Sequence, residues 1–244
     1  MMPARVPGAH LRYRVSAVAL AAALCCAPVR ADADAPGDAK DTAPAHVFQA
    51  TLQPGQRHRV AVYLAADARA GFLVIEHEGR RWTSRIYPLW WAEPADLDGD
   101  GVDALVLGIW SRTRRHDEPE PHRTIWVMAW NGDDLTPLWR GSALARPLAD
   151  AFAADLDGDG RAELVALERT RARARDGGGD GDGDGDGDGK DCVLAAYEWN
   201  GFGFAAEATR PISCAAALDR GARRVRLDGR SRRPLLRRGR LELP

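Results

Sequence analysis

The chain has 244 residues, of which 45% are hydrophobic and 28% charged, so it can bury one sizeable core or two small ones and is not a disordered chain. Its 34 Lys and Arg residues balance 35 Asp and Glu residues, and a formal charge of −1 argues for neither a nucleic-acid nor a membrane partner. Almost all of the basic residues are Arg, as is typical of GC-rich genomes, so their number is weak evidence of phosphate binding.

The N-terminus has the pattern of an export signal. Basic residues, among them Arg5 and Arg14, precede an apolar run over 15–27, and Val29-Arg30-Ala31 places small residues at the spacing that signal peptidase reads. This run is shorter than the ~20 residues that a bilayer core needs, so a retained membrane helix is the weaker alternative. We therefore predict a signal peptide over 1–31, no transmembrane segment after its removal, and a periplasmic or secreted protein.

The start of the mature chain and its cysteines also fit export. Residues 32–45 are rich in Asp, Ala and Pro without apolar periodicity, which predicts a flexible leader. The two cysteines left after cleavage are Cys192 and Cys214. In an oxidising compartment such a pair favours a disulfide, and two reduced, buried thiols are the alternative.

From residue 46 to residue 244 the apolar runs are short and β-like. Turn residues separate them, and no stretch of ten or more residues keeps a helical period. The predicted strands are Val47–Leu52, Arg59–Leu64, Phe72–His77, Leu105–Trp110, Ile125–Trp130, Leu164–Leu167 and Val193–Trp199. The mature chain is therefore predicted to be all-β.

A repeated motif organises these strands. Pro-Leu and then A-D-L-D-G-D-G occur within 88–101 and recur 59 residues later within 147–160. Each copy runs into an apolar strand, and a later strand ends in Trp-Asn-Gly, at 130–132 and at 199–201. The second spacing is ten residues longer, and we assign the difference to a low-complexity loop over 176–190 at a hairpin tip.

Weaker copies of the unit flank these two. Shifted by 71 residues, the Leu-Asp-Gly of 156–158 falls on 227–229, and the apolar pair that follows falls on 235–236. The acidic positions are lost there, which predicts a repeat unit without a metal site. Upstream, residues 73–79 with Trp82 are similar to the strand that ends in Trp-Asn-Gly, which predicts a partial unit before the first acidic loop.

The second acidic loop has the ligand spacing of a calcium site. Asp155, Asp157 and Asp159 stand at positions 1, 3 and 5, and carboxylates so close together repel one another unless a cation lies between them. Ca²⁺ accepts six to eight hard oxygen ligands, including a backbone carbonyl at position 7. We predict the Arg161 carbonyl and the Glu163 carboxylate as further ligands, with a merely solvated acidic turn as the alternative.

The first acidic loop offers fewer ligands. Its predicted ligands are Asp96, Asp98, Asp100 and the carbonyl of Val102, whereas position 9 is Ala104. With one carboxylate fewer, this loop is predicted to bind Ca²⁺ more weakly than the second. Neither loop matches an EF-hand, because both have an apolar residue at position 12, where an EF-hand needs a carboxylate.

The repeated A-D-L-D-G-D-G-x-x-x-L-V motif between strands resembles the FG-GAP or VCBS repeats of integrin-α-like β-propellers, over roughly residues 72–236. The resemblance implies a small or partial β-propeller of antiparallel blades, with Ca²⁺ in hairpin loops on one face. It also implies a role in adhesion, in ligand binding or as an accessory module. The mature length suits either a small four-bladed ring or an open array that needs caps or a partner.

The chain has eight Trp residues, which raises the question of carbohydrate stacking. Trp130 and Trp199 recur at one repeat position, and this favours packing between units. The candidates for a binding face are therefore Trp90, Trp91, Trp110 and Trp139.

Two charged segments have competing interpretations. Residues 116–122, H-D-E-P-E-P-H, contain side chains that bind Zn²⁺, but two prolines in an acidic linker are more typical of an exposed hairpin loop. Residues 220–240 hold ten Arg and one Asp, which could attract an anionic envelope surface. The alternative is a terminal repeat unit whose solvent-exposed face happens to use Arg.

These features predict an exported, calcium-binding, β-propeller-like module of the cell envelope, which binds a protein or glycan ligand and is not catalytic. No nucleophile stands at a spacing from a base that supports catalysis. One competing interpretation is an envelope hydrolase, or an accessory domain of an enzyme, that uses the acidic loops with His58 or His77; another is a purely structural envelope protein. A histidine close to an acidic loop or a cleft would favour the enzyme.

Overall fold

The computed structural model describes residues 43–113, 121–141, 144–170 and 192–244. The predicted signal peptide, most of the predicted leader, the low-complexity loop and most of the candidate zinc segment lie outside these residues. The described residues form only strands, turns and irregular segments, and they include no helix that could cross a membrane. The prediction of an all-β chain is confirmed.

The strands form four antiparallel blades of a β-propeller, in which each strand pairs with its neighbour in the chain. The first blade contains β1 (His46–Gln53), β2 (Gln56–Leu64), β3 (Gly71–His77) and β4 (Arg80–Thr83). The second contains β5 (Leu89–Ala95), β6 (Ala104–Ser111), β7 (His122–Trp130) and β8 (Leu135–Arg140). The third contains β9 (Leu148–Ala154), β10 (Glu163–Arg169), β11 (Cys192–Trp199) and β12 (Phe204–Ile212).

The fourth blade is smaller and is divided into two sheets. One sheet contains β13 (Ala217–Asp219), β14 (Arg224–Leu227) and β15 (Arg230–Arg232), and the other contains β16 (Leu235–Arg237) and β17 (Arg240–Glu242). Asp228 and Gly229, both with positive φ, form the tight turn between β14 and β15. The weak third copy of the motif is therefore a two-residue hairpin, with no room for a metal loop.

The first strands of successive blades lie next to one another, since β1 contacts β5, β5 contacts β9, and β9 contacts β13. This is the arrangement of strands around a propeller axis. Backbone hydrogen bonds join each blade to the one before it: Asp103 N donates to Thr51 O at 2.7 Å, Ala162 N to Asp96 O at 2.7 Å, and Leu236 N to Leu156 O at 3.1 Å. The first two of these bonds start from equivalent residues of the repeat, 59 positions apart, whereas the third starts from β16.

Apolar side chains from neighbouring blades pack into two clusters. One joins the first and second blades and includes Leu73 and Leu105, both fully buried. The other joins the second, third and fourth blades and includes Phe152 and Val225, also fully buried. Each sheet therefore buries its faces against adjacent sheets, which it cannot do alone.

The predicted partial unit before the first acidic loop is in fact a complete blade. The hairpin between β1 and β2 turns at residues 54–55, and Thr51 O accepts the same inter-blade hydrogen bond that Asp96 O accepts in the next blade. By this equivalence Gln53 takes the place of the second aspartate of an acidic loop. The unit was underestimated because its turn is short and carries no acidic signature.

A disulfide joins Cys192 to Cys214, so the first of the two cysteine alternatives is the one observed. Cys192 begins β11 and pairs with Ile212 at the end of β12, two residues before Cys214. The bond therefore fastens the last strand of the third blade to its neighbour, at the point where the chain leaves for the fourth blade.

Deletion of residues 177–189 is expected to leave the free energy of unfolding nearly unchanged. The shortened chain keeps nine residues between the paired residues Arg169 and Cys192, close to the ten between Ser111 and His122 in the second blade. Loop length contributes little to the free energy of closing a hairpin in this range. Thermal unfolding of the variant checks this, and a fall of many degrees would show that the acidic run is structural.

Truncation after Leu218 is expected to cause aggregation, because it removes the strands that bury Val225 and Leu241 against the third blade and exposes an unpaired edge. The milder variant Leu241→Ala is expected to lower the free energy of unfolding by about 2–5 kcal/mol. Arg240→Ala, an exposed neighbour in the same strand, is the matched control and should change little. Size-exclusion chromatography and melting curves test this; a monomeric truncation with an unchanged melting curve would refute it.

Candidate functional site

The two acidic loops occupy equivalent hairpins of neighbouring blades. Residues 96–103 connect β5 to β6, and residues 155–162 connect β9 to β10. Two glycines in each loop have positive φ, a backbone conformation that other residues rarely adopt, and so let the chain curl tightly. These glycines are Gly99, Gly101, Gly158 and Gly160.

In each loop the three predicted aspartates converge. One carboxylate oxygen of each lies within 4.8 Å of the others, in the groups Asp96, Asp98, Asp100 and Asp155, Asp157, Asp159. The first aspartate of each loop also holds the loop in shape, because its two oxygens accept hydrogen bonds of 2.6–3.2 Å from two glycine N–H groups. The second and third aspartates are exposed to solvent.

This donor set fits a hard divalent cation. The converging atoms are carboxylate oxygens, and two such charges at this separation repel each other by about 1 kcal/mol in water. Partial burial, together with the charge of Asp100, raises the pKa of Asp98 above its usual value. A cation between the oxygens would replace the repulsion by attraction, and Ca²⁺ prefers oxygen ligands of this kind.

Arg161 distinguishes the second loop from the first. Its Nε and Nη2 donate to Oδ2 of Asp159 at 2.9 and 2.7 Å, and its Nη1 donates to Glu198 at 2.7 Å. The Arg161 backbone N–H and guanidinium lower the pKa of Asp159. The first loop has Val102 at this position. A cation in the second loop would therefore compete with a guanidinium for Asp159. This contact was missed in the sequence analysis because only the Arg161 carbonyl was considered.

Glu163, the predicted carboxylate ligand at position 9, lies at the base of the second loop. It is 4% exposed, and its Oε2 accepts a hydrogen bond from Leu156 N at 2.8 Å. Burial raises the pKa of Glu163 to about 7, and the nearby charge of Asp157 adds to the effect. Ligation by Glu163, like ligation by the Arg161 and Val102 carbonyls, stays a prediction.

Asp103, next to Ala104 in the first loop, joins two blades. Its Oδ2 accepts a hydrogen bond from Thr51 N at 2.7 Å, and its own N donates to Thr51 O at 2.7 Å. The Asp-Ala pair here replaces the Ala162-Glu163 pair of the second loop, so the carboxylate is moved by one position and to the other side of the strand. The contact between Asp103 and Thr51 was missed because nothing in the sequence places these two residues next to each other.

The prediction of a tryptophan binding face is wrong for two of its four members. Trp90 and Trp91 are 6% and 3% exposed and stack on each other, with ring centroids 5.6 Å apart. Trp110 is partly buried and donates from Nε1 to Ala68 O at 2.8 Å, and Trp139 packs edge-to-face on Phe204. Trp90 and Trp91 are therefore excluded as ligand-stacking residues, and Trp110 and Trp139 already have packing partners within the protein.

A charged cluster lies on the inner strands of the second to fourth blades. Glu93 of β5 is 8% exposed and accepts a hydrogen bond from Ala153 N of β9. Arg220, which follows β13, forms an ion pair with Asp150. Burial raises the pKa of Glu93 to about 8, in spite of neighbouring arginines that lower it. This shift favours the protonated form of Glu93 at neutral pH.

The two histidines of the hydrolase interpretation lie in the first blade. His58 and His77 stack on each other, with ring centroids 4.5 Å apart. They line a groove with Trp82 and Trp130, and no residue of either acidic loop takes part in that lining. The two histidines therefore line a cleft, one of the two placements that would favour an enzyme, but this groove does not bring them to an acidic loop.

Replacing Glu93 by Gln is expected to change how stability depends on pH. The folded protein keeps the Glu93 proton up to about pH 8, whereas the unfolded chain loses it near 4.5, so this contribution to stability is complete below pH 4.5 and is lost as the pH rises through 8. Glu93→Gln keeps an acceptor for Ala153 N and cannot ionise. It should therefore raise the melting temperature by several degrees above pH 8 and leave it nearly unchanged near pH 4.5.

Melting curves recorded across this pH range check the Glu93 prediction. The matched control is Glu242→Gln, which changes a more exposed carboxylate in the fourth blade. Equal melting temperatures of Glu93→Gln and the parent protein at both ends of the range would contradict the prediction.

Comparison of the sequence with models of protein families and with curated proteins finds no match in either. The resemblance to FG-GAP and VCBS repeats therefore rests on the acidic-loop motif. The propeller fold agrees with it.

Proposed function

We propose that this protein is an exported calcium-binding β-propeller module of the FG-GAP/VCBS type, which binds a protein or glycan ligand in the cell envelope and catalyses no reaction. The observation that carries the proposal is the convergence of three carboxylates, in register, in two neighbouring blades. Export to the periplasm or the medium is supported by the N-terminal sequence pattern and by the disulfide, since disulfides persist in oxidising compartments.

Calcium would act on the junction between the second and third blades. Each loop connects the first strand of its blade to the second, and Ala162 N of one loop binds Asp96 O of the other. A cation that fixes both loops would therefore also fix how the two blades meet. Because the unfolded chain has no such sites, binding would stabilise the folded state, by about 2.7 kcal/mol at a free concentration of 100 times Kd.

The competing functions have less support. In the described lining of the histidine groove, Glu78 Oε1 lies 3.8 Å from His77 Nε2, but no acidic-loop residue joins them and no Ser, Thr, Cys or Lys is present. A purely structural protein would bury its Trp side chains, whereas Trp82 and Trp130 are partly exposed in that groove. A binding module accounts for both observations.

An anionic envelope surface is a second proposed partner, through the fourth blade. Arg237 and Arg240 stand directly opposite each other in the β16–β17 hairpin, a pairing of like charges that costs stability. Both are exposed, as are Arg226, Arg230, Arg233 and Arg238. Such a surface attracts anionic headgroups or polysaccharides, and the attraction would weaken with salt.

Calcium is expected to raise the melting temperature, and Asp157→Ala is expected to remove more of that rise than Asp98→Ala. The two variants are matched, since both change an exposed aspartate at position 3 of its loop. The difference should arise from Glu163, which provides a carboxylate at position 9, where the first loop has Ala104. Calorimetric titration with Ca²⁺ and melting curves in Ca²⁺ and in chelator measure it; equal losses, or no effect of calcium, would contradict the proposal.

Arg161→Val is the companion variant, because it gives the second loop the residue that the first loop has at this position. It keeps the backbone carbonyl and frees Asp159 from its guanidinium partner. Calcium affinity of the second loop should therefore increase. A decrease would show that Arg161 supports the site and does not compete with it.

A further inference from the structure

A groove of about 400 Å³ lies where the first blade meets the second. The first blade provides its β2 strand and β3–β4 hairpin, and the second blade provides the end of β7 and the turn that follows. The volume lies within the range of small-molecule sites, and such sites are commonly found between structural units. Neither the proposed calcium sites nor the proposed contact with an anionic surface uses this groove.

Two histidines form one side of the groove with a fixed proton arrangement. His58 Nδ1 lies 3.1 Å from Gln56 O, and His77 Nδ1 lies 2.9 Å from Arg57 O. A carbonyl only accepts hydrogen bonds, so each Nδ1 carries a proton; Nε2 of His77 lies 3.8 Å from Glu78 Oε1, and His58, which is 2% exposed, has Nε2 as an acceptor in its neutral form. Burial lowers the pKa of His58 and so favours this neutral form.

Two tryptophans form the other side, one from each blade. The rings of Trp82 and Trp130 meet edge-to-face, with centroids 5.0 Å apart, and His58 approaches Trp130 in the same manner at 6.4 Å. Both tryptophans are partly exposed. The groove therefore offers rigid indole surface whose position is set by the junction of the two blades.

The rim is polar but carries no net charge. Arg80 and Arg81 are balanced by Glu78 and Asp133. Amide groups of Gln53 and Gln56 add both donors and acceptors. A strongly charged ligand would therefore gain little here, whereas one with many hydroxyl groups would find partners for both the protons and the lone pairs of those groups.

We propose that this groove is a binding site for a neutral saccharide, whose C–H face packs on Trp82 or Trp130 and whose hydroxyl groups bind His77 and the glutamine amides. Sugars combine an apolar ring face with a hydroxyl rim, and this combination matches the lining. A metal is a poor match, because the groups of three or more His, Cys, Asp or Glu side chains with metal-ligand spacing in the described part of the chain are the two aspartate triplets. The proposal rests on the proposed ligand-binding function and gives it a site and a ligand class.

The test is titration of the mature chain with four neutral disaccharides: maltose, cellobiose, lactose and N,N′-diacetylchitobiose. Calorimetry reports the affinity, and Trp fluorescence reports whether the groove is the site. At least one sugar is expected to bind, and both Trp82→Ala and Gln56→Ala should weaken it, the former by about tenfold or more. Phe202→Ala, which removes an aromatic ring that is 87% exposed outside the groove, is the matched control and should change nothing.

Two outcomes would overturn the saccharide site: no binding of any of the four sugars, or binding that survives both groove variants. Gln56 is exposed, so its variant stays informative if Trp82→Ala fails to fold. Calcium-dependent melting of the same samples separates this proposal from the previous one. No sugar binding with an intact calcium effect rejects the groove alone, and sugar binding without a calcium effect rejects the calcium sites alone. Cleavage of a bound sugar would keep the saccharide site and reject the non-catalytic function.

Discussion

A four-stranded sheet cannot bury both of its faces by itself, and in this protein each blade is covered by the blade next to it. Between the first three blades, the backbone at the start of the second strand of one blade binds the end of the first strand of the preceding blade. The acidic loops lie at the same place. Fold and candidate metal sites therefore depend on the same junctions, and a change in one junction affects both.

The sequence predicted the strands that are rich in β-branched residues, and it failed for strands whose side chains have low β-propensity. Strand β9, L-A-D-A-F-A-A, and strand β5, with an internal Glu and Pro, are recognised as strands only through their partners β10 and β6. Both are buried inner strands of the propeller. Their position between two blades, which a linear pattern does not encode, determines their conformation.

The candidate site was predictable where ligand spacing is local, and the six aspartates converge as the motif requires. The spacing could not show which distant residues the acidic loops contact. Asp103 reaches Thr51, 52 residues away, and Arg161 turns its guanidinium towards its own loop. The saccharide groove was not predictable for the same reason, because its histidines and tryptophans come from two blades and converge only after folding.

The guanidinium of Arg161 gives the second loop a counterion of its own. Without calcium the three aspartates are not left to repel one another uncompensated, so the blade can fold before it meets the ion. On the proposed function, calcium then displaces a partner already in place, and the net affinity is the difference between two interactions. Such a site would respond to millimolar calcium outside the cytoplasm, the regime of extracellular calcium modules. Its occupancy would then depend on the compartment that the exported protein has reached.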